Sequence, residues 1–329
     1  MTRKSISHRD LIEGLIGGDD IPRLPVAFWR HFPLDDQFPD RLANATTFFQ
    51  QTYDFDLIKV SPSSSFCIRD WGIIDVWNGN TEGTRDYLNG LSLSEARAIK
   101  PLDPQQGSLG DQLKALEIII KRHKQEAPII QTIFSPLSQL KNILGKQNLI
   151  HSVRHAPSAV KSLLDIITTT TSAFMEECLR MQVDGFYYAV QHASSSQMSR
   201  DEFLLFGKKY DQRLFVQIEK APVNILHIHG ENIYFEIMQD YPCQIINWHD
   251  RETPPSLKEA SKITKKVLCG GLNRISAMVK GTPDVIEEDI SNAISQLQSK
   301  HFLLGTGCVL PIITPHGNIT CTVDYARGL

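Results

Sequence analysis

The sequence predicts an α/β protein folded as a (β/α)8 TIM barrel. It forms a single domain over residues 1–329, with an N-terminal extension and an insertion between the second and third strands. Three observations lead there. Short apolar, β-rich runs recur along the chain, most of them followed by a polar or glycine-containing turn and then a helix-length stretch, which is the order parallel βα units require. The runs are mostly continuous rather than alternating, as expected of strands covered on both faces. A doubly wound sheet would instead carry a glycine-rich phosphate turn after an early strand, and no GxGxxG is present.

Eight strands are predicted, at residues 25–30 (PVAFWR), 57–61 (LIKVS), 128–134 (PIIQTIF), 185–190 (GFYYAV), 223–229 (VNILHIH), 244–248 (QIINW), 266–269 (KVLC) and 301–304 (HFLL). Helices are predicted over 158–181, 199–209, 255–265 and 283–298, with a last one beginning near Pro315. Pro283 and Pro315 each follow a threonine, a cap-then-proline start. Residues 1–24 precede the repeat. Residues 62–127, with a Gly/Asn-rich turn at 77–83 and two predicted helices, read as an insertion over one end of the barrel.

Composition narrows the function. With 34 Lys+Arg against 37 Asp+Glu, 41% hydrophobic residues and a net charge of -3, disorder, collagen and coiled coil are excluded. The balance also lacks the basic excess of nucleic-acid binders. The first thirty residues show no apolar signal-peptide core, and the longest apolar runs end at charges, so no membrane partner is expected. Six cysteines without a CxxC pair read as reduced thiols, which predicts a cytoplasmic protein. A monomer or homodimer acting on a small-molecule substrate is expected.

In a barrel, catalytic groups sit at the C-terminal ends of the strands. The sharpest signal there is His227-Ile228-His229-Gly230: at period two both imidazoles project to one face of a strand, and neutral imidazole is a common zinc ligand. The alternative is a pair of hydrogen-bonded core histidines, or one that orients a substrate. Cys308, flanked by glycines just beyond the last predicted strand, can direct a thiolate into the barrel mouth; otherwise it is a small apolar filler. Two His and one Cys would leave a tetrahedral position for substrate, the arrangement of a catalytic zinc.

Other polar groups cluster at strand ends. In Trp248-His249-Asp250-Arg251, Arg251 can bind an anion while Asp250 orients His249, or the charges form a loop salt bridge. Trp71 can stack on a flat ligand as part of a lid, or pack within the insertion. Of Tyr187 and Tyr188, one faces the interior and one the helices, with Tyr188 the predicted substrate contact. Gln191, His192 and Ser194 follow as donors.

Four segments together resemble the uroporphyrinogen decarboxylase superfamily: the 25–30 strand ending in Arg30, the His227-Ile-His-Gly run, the Cys269-Gly-Gly-Leu-Asn273 turn and Gly305-Thr-Gly-Cys-Val-Leu-Pro-Ile-Ile-Thr-Pro315. The resemblance runs over nearly the whole chain. It implies a TIM barrel, catalytic or substrate-binding roles for Arg30 and Asn273, and one of two activities. The decarboxylase branch has a second arginine where Leu34 stands, a Ser-Asp pair where Ser61-Pro62 stands, a histidine where Thr306 stands and a tyrosine where Asn142 stands. The branch of zinc-dependent methyltransferases has His-x-Cys and a distant Cys. His227 and Cys308 match these, and His229 replaces the middle cysteine. This branch implies zinc and methyl transfer between a corrinoid and a thiol. No Asp-x-His-x-x-Gly cobalamin motif is present, so the corrinoid would arrive on a partner protein. Two alternatives stay open: a lyase clamping a smaller anion with Arg30 and Arg251, and a non-catalytic binding barrel.

Overall fold

A computed structural model describes residues 6–329. Among them the strands are β1 (Ile58–Val60), β2 (Asp75–Val76), β3 (Asp86–Tyr87), β4 (Ile129–Phe134), β5 (Gly185–Val190), β6 (Ile225–Ile228), β7 (Ile245–Trp248), β8 (Val267–Leu272) and β9 (Leu303–Thr306). Seven of these form one curled parallel sheet in the order β1-β4-β5-β6-β7-β8-β9, while β2 and β3 pair as a separate antiparallel hairpin. The seven strands are buried along their whole length, which is why they read as continuous apolar runs.

The strand predicted over 25–30 is reduced to one parallel bridge, Val26 to Leu304. It still lies across the gap between the two edges of the sheet. Ala27 N–H donates to Leu304 O (3.0 Å), Leu304 N–H to Pro25 O (2.8 Å), and Asp56 N–H to Val26 O (3.0 Å). Val26 N–H bonds not to a strand but to the buried Asp56 carboxylate (2.8 Å), and Pro25 has no N–H to give, so no regular ladder forms.

Asp56 also holds Arg23 through two bonds (2.5 and 2.8 Å) and His8 Nδ1 (2.7 Å), tying the helix His8–Gly17 to this closure. Burial alone would raise its carboxyl; the bonds from Arg23 and His8 outweigh it and hold the pKa below 3.8. The Asp56 bond in turn raises His8 above 6.5. The Asp56 contribution is therefore present above pH 3.8 and lost as pH falls through its depressed pKa, whereas the His8 contribution is full below pH 6.5 and lost as pH rises. Asp56→Asn is expected to lower unfolding free energy by about 3–5 kcal/mol near pH 6, because Arg23 is left buried without its partner. A urea unfolding series from pH 5 to 8 checks this, and should also show the loss of the His8-dependent decline above pH 6.5.

The predicted helices are present with shifted ends. The helix Pro157–Arg180 starts on a proline and buries Val160, Leu163, Leu164 and Ile167 as one stripe. Leu257–Ile263 opens on a Ser256/Glu259 capping box. The helix predicted over 199–209 begins with a second such box and passes into a π turn, Leu204–Lys208, where the Phe203 ring lies 2.6 Å from where a Gly207 Cβ would stand. β8 continues to Leu272, beyond the predicted end at residue 269; Gly270 leaves room for the Asp250 carboxylate alongside the strand, and Gly271 N–H donates to it. Between β1 and β4 lie the β2–β3 hairpin and the helix Gly107–His123. Arg85 pairs with Asp75 within the hairpin and ties it to Asp36, both buried side chains. No helix of the described residues is long and apolar enough to cross a membrane.

Candidate metal centre

Alternation along the strands decides what faces the interior. On β6 His227 points inward and Ile228 outward, and Gly230, with φ at +101°, turns the chain just past His229. Cys308 arrives from the end of β9. Gly307 permits this, since a Cβ there would stand 2.6 Å from Trp248 O and from His249 Cα, so β9 can lie against the end of β7 only with glycine. Cys308 Sγ lies 3.8 Å from His227 Nε2 and 3.9 Å from His229 Nδ1. His249, from the end of β7, places its Nε2 3.3 Å from His229 Nδ1, and one donor atom from each of the four residues lies within 4.8 Å of all the others.

The imidazole donors are in metal-binding form. Burial drives His227 well below its ordinary pKa and takes His229 down to about 3; burial also lowers His249. All three imidazoles are therefore neutral near pH 7. Asn247 fixes the tautomer of His227. Its Nδ2 donates to Cys269 O (3.0 Å) and Thr306 O (3.1 Å), so its Oδ1 must accept, and it does so from His227 Nδ1–H (2.8 Å) and Tyr187 O–H (3.2 Å). That leaves Nε2 of His227 bare and facing Cys308. Burial pushes the Cys308 thiol up, with Arg274 pulling against it. Two nitrogens and a soft sulfur are a donor set that suits zinc, whose tetrahedral ligands stand about 3.3–3.6 Å apart; the sulfur-to-nitrogen distances of 3.8 and 3.9 Å require a small inward shift on binding.

The cluster opens on a cavity of about 360 Å³ whose walls include His31, Lys59, Phe134, Tyr187, Gln191 and Arg274. Two larger clefts, of about 730 and 680 Å³, lie elsewhere and contain none of the four donors. Lys59 is buried on β1; its ammonium donates to Ser61 Oγ (2.9 Å), sits 4.5 Å from the Tyr187 ring centre and has no carboxylate partner among the described residues. Burial brings its pKa down to about 7. Arg274, by contrast, is paired with Glu82 (2.7 Å) and Glu252 (3.1 Å). Glu82 belongs to the Gly/Asn-rich turn, where Gly83 packs on His31 and Ile312, so the turn lies across the cavity rim.

Several predicted residues lie elsewhere. Arg30 has the opposite parity to Trp29, so its guanidinium sits over the Phe32 and Phe49 rings (5.4 and 5.0 Å) in the helix layer, away from the cavity. Tyr188 also faces outward and donates to Asp211 (2.6 Å); its neighbour Tyr187 faces the interior and stacks on His227. Asp250 does not orient His249. Its carboxylate accepts from Gly271 N–H (3.0 Å), and burial raises its pKa to about 7, while Glu252 meets His249 Nδ1 at 3.3 Å. Arg251 donates to Gly271 O (2.6 and 2.9 Å), Asp289 O and Asn292 Oδ1, so it is held within the protein and does not line the cavity. Trp71 is packed in the segment before β2 with its indole N–H on Lys100 O (2.9 Å). Asn273 caps its own turn, accepting from Ile275 and Ser276 N–H. Gln191 lines the cavity, and its buried Oε1 has no partner.

Lys59, Arg274, Asn247, Tyr187, Glu252 and Glu82 are absent from the predicted set. Tyr187 is one of the two tyrosines weighed for the interior, and Lys59 carries a signal of its own, a cation inside an apolar strand run.

A curled parallel sheet with a His/Cys cluster at its strand ends is a TIM-barrel-like arrangement, and the match to a known family agrees. A family model described as uroporphyrinogen decarboxylase (URO-D) covers residues 37–329, and the chain belongs to that family. Within it, the chain is similar to the methylcobamide:CoM methyltransferases MtbA of Methanosarcina mazei and Methanosarcina acetivorans. The identities are 21% and 20% over 240 residues, in each case 72% of this chain and 69% of the relative. The fold matches a solved methyltransferase from Methanosarcina mazei with a TM-score of 0.86 at 16% identity, covering 98% of this chain and 99% of that one. A looser match, with a TM-score of 0.53 at 13% identity and coverage of 93% and 96%, is a B12-independent methionine synthase from Shewanella sp. W3-18-1.

Proposed function

We propose that this protein is a zinc-dependent methyltransferase moving a methyl group between a corrinoid, carried by a separate partner protein, and a thiol-type acceptor. The observation that carries the reading is the convergence of His227, His229 and Cys308 on the cavity, in a family member similar in sequence to methylcobamide:CoM methyltransferases. Zinc held by these residues would supply a soft Lewis acid that makes a thiol nucleophilic at neutral pH.

The chain's own groups do the rest. Asn247 keeps His227 Nε2 free as a donor, and Tyr187 stacks on that ring. Lys59 offers the cavity's uncompensated cation to an anionic end of the acceptor, so an acceptor with both a thiol and an acid group can bridge from the cluster to β1. Gln191 Oε1 stands ready to accept a hydrogen bond. A corrinoid would supply the methyl group: the S–C bond would form as the Co–C bond broke, with that bond's electron pair left on the corrinoid and the thiol proton released to solvent water. The lyase alternative relies on Arg30 and Arg251 as carboxylate clamps, and both are turned away from the cavity.

Zinc-loaded protein mixed with methylcobalamin and a panel of small thiols, with and without an acid group, is expected to give the methyl thioether by mass spectrometry. Acidic thiols should be preferred, and that preference should be lost in Lys59→Met. Protein carrying one zinc that forms no thioether with any thiol would defeat the reading.

A further inference from the structure

We infer that His249 is a fourth metal ligand, closing the centre with three imidazoles and one thiolate; the inference rests on the zinc reading above. Three observations support it. First, His249 Nε2 faces His229 Nδ1 at 3.3 Å, the spacing of two nitrogens sharing one tetrahedral ion at bonds of about 2.0–2.1 Å. Second, Glu252 stands 3.3 Å from His249 Nδ1, placing the proton there and leaving Nε2 bare. A carboxylate on the far nitrogen is the outer partner that metal-binding histidines ordinarily have. Arg274 holds Glu252 in place and links it to Glu82. Third, His227, His229 and Cys308 line the cavity, while His249 does not, so its imidazole approaches the cluster from behind.

The donor set thereby departs from the His-x-Cys and distant-Cys pattern in two linked ways. An imidazole stands where the middle thiolate would, and a further imidazole fills the position that three ligands would leave open. A thiol entering from the cavity would meet a filled shell, so a protein donor would have to leave or the ion expand to five-coordinate to admit it.

Cobalt(II), used in place of zinc, reports both the sulfur ligand and the coordination number. The wild type is expected to show a thiolate-to-cobalt charge-transfer band together with the strong visible bands of a four-coordinate ion. His249→Ala should keep the charge-transfer band, because Cys308 is intact. Its visible bands should weaken as water enters, and its cobalt Kd should rise by about 100-fold or more, beyond the about 10- to 100-fold that loss of an outer partner costs. Circular dichroism of the metal-free variant checks folding; if the alanine variant does not fold, His249→Gln replaces it. Unchanged affinity and visible bands in a folded variant overturn the inference while leaving the metal centre standing. Absence of the charge-transfer band in the wild type overturns the metal reading itself, and the inference with it.

Discussion

Cys308→Ala is expected to lose nearly all bound zinc, with Kd rising by more than about 100-fold, since even outer partners of a site cost about 10- to 100-fold. Cys308 is the cluster's one sulfur donor, and its Sγ lies within 3.9 Å of both β6 imidazoles. The metal-free protein should fold normally, because alanine fits where the smaller part of a thiol side chain stood. Zinc analysis after dialysis checks uptake, and thermal melts give an independent reading. At free zinc about 100 times the wild-type Kd, the wild type should gain about 2.7 kcal/mol of stability, and Cys308→Ala less than about 0.4 kcal/mol at that same concentration. Wild-type zinc content and wild-type stabilisation in the variant would show that Cys308 is only a packed residue beside two core histidines.

Asn247→Leu should have the second largest effect, and it should act on folding and metal together. The amide serves four groups: it accepts from His227 and Tyr187 and donates to the carbonyls of Cys269 and Thr306. Leucine fills the same volume but leaves these partners without a bond in a fully buried site. At about 1–3 kcal/mol for each buried group left unpaired, the loss of unfolding free energy should be at least about 3 kcal/mol. His227 would also lose the acceptor that fixes its tautomer, weakening metal binding by about 10- to 100-fold. Urea unfolding of the metal-free protein and competitive zinc titration separate the two effects. A variant with wild-type midpoint and wild-type affinity would remove Asn247 from the account.

The repeat of buried strands was legible because burial on both faces leaves a continuous apolar run, which needs no partner to be recognised. The segment at 25–30 shows the limit of that signal. Its composition is that of a strand, yet Val26 N–H bonds to Asp56, a residue thirty positions away whose part in the closure no local pattern announces. The period-two spacing of His227 and His229 likewise survives from sequence to structure, since alternation is a local property of extended backbone. Which parity faces inward is not local. Tyr187 and Tyr188 are chemically alike and adjacent; only the curl of the sheet turns Tyr187 toward His227 and Tyr188 toward Asp211.

The sequence by itself therefore determined the βα repeat, the family and three of the donors that gather in the centre. Tertiary structure alone decided that His249 joins them, that Glu252 rather than Asp250 meets its ring, and that Lys59 and Arg274 rather than Arg30 and Arg251 line the cavity. The reason is physical. A side chain's chemistry and its alternation along a strand are set by its neighbours in the chain. Its partners are set by the closing of the sheet, which brings residues 59, 227, 249, 274 and 308 to one end of the strands and buries there the cation and the imidazoles that water would otherwise hold apart.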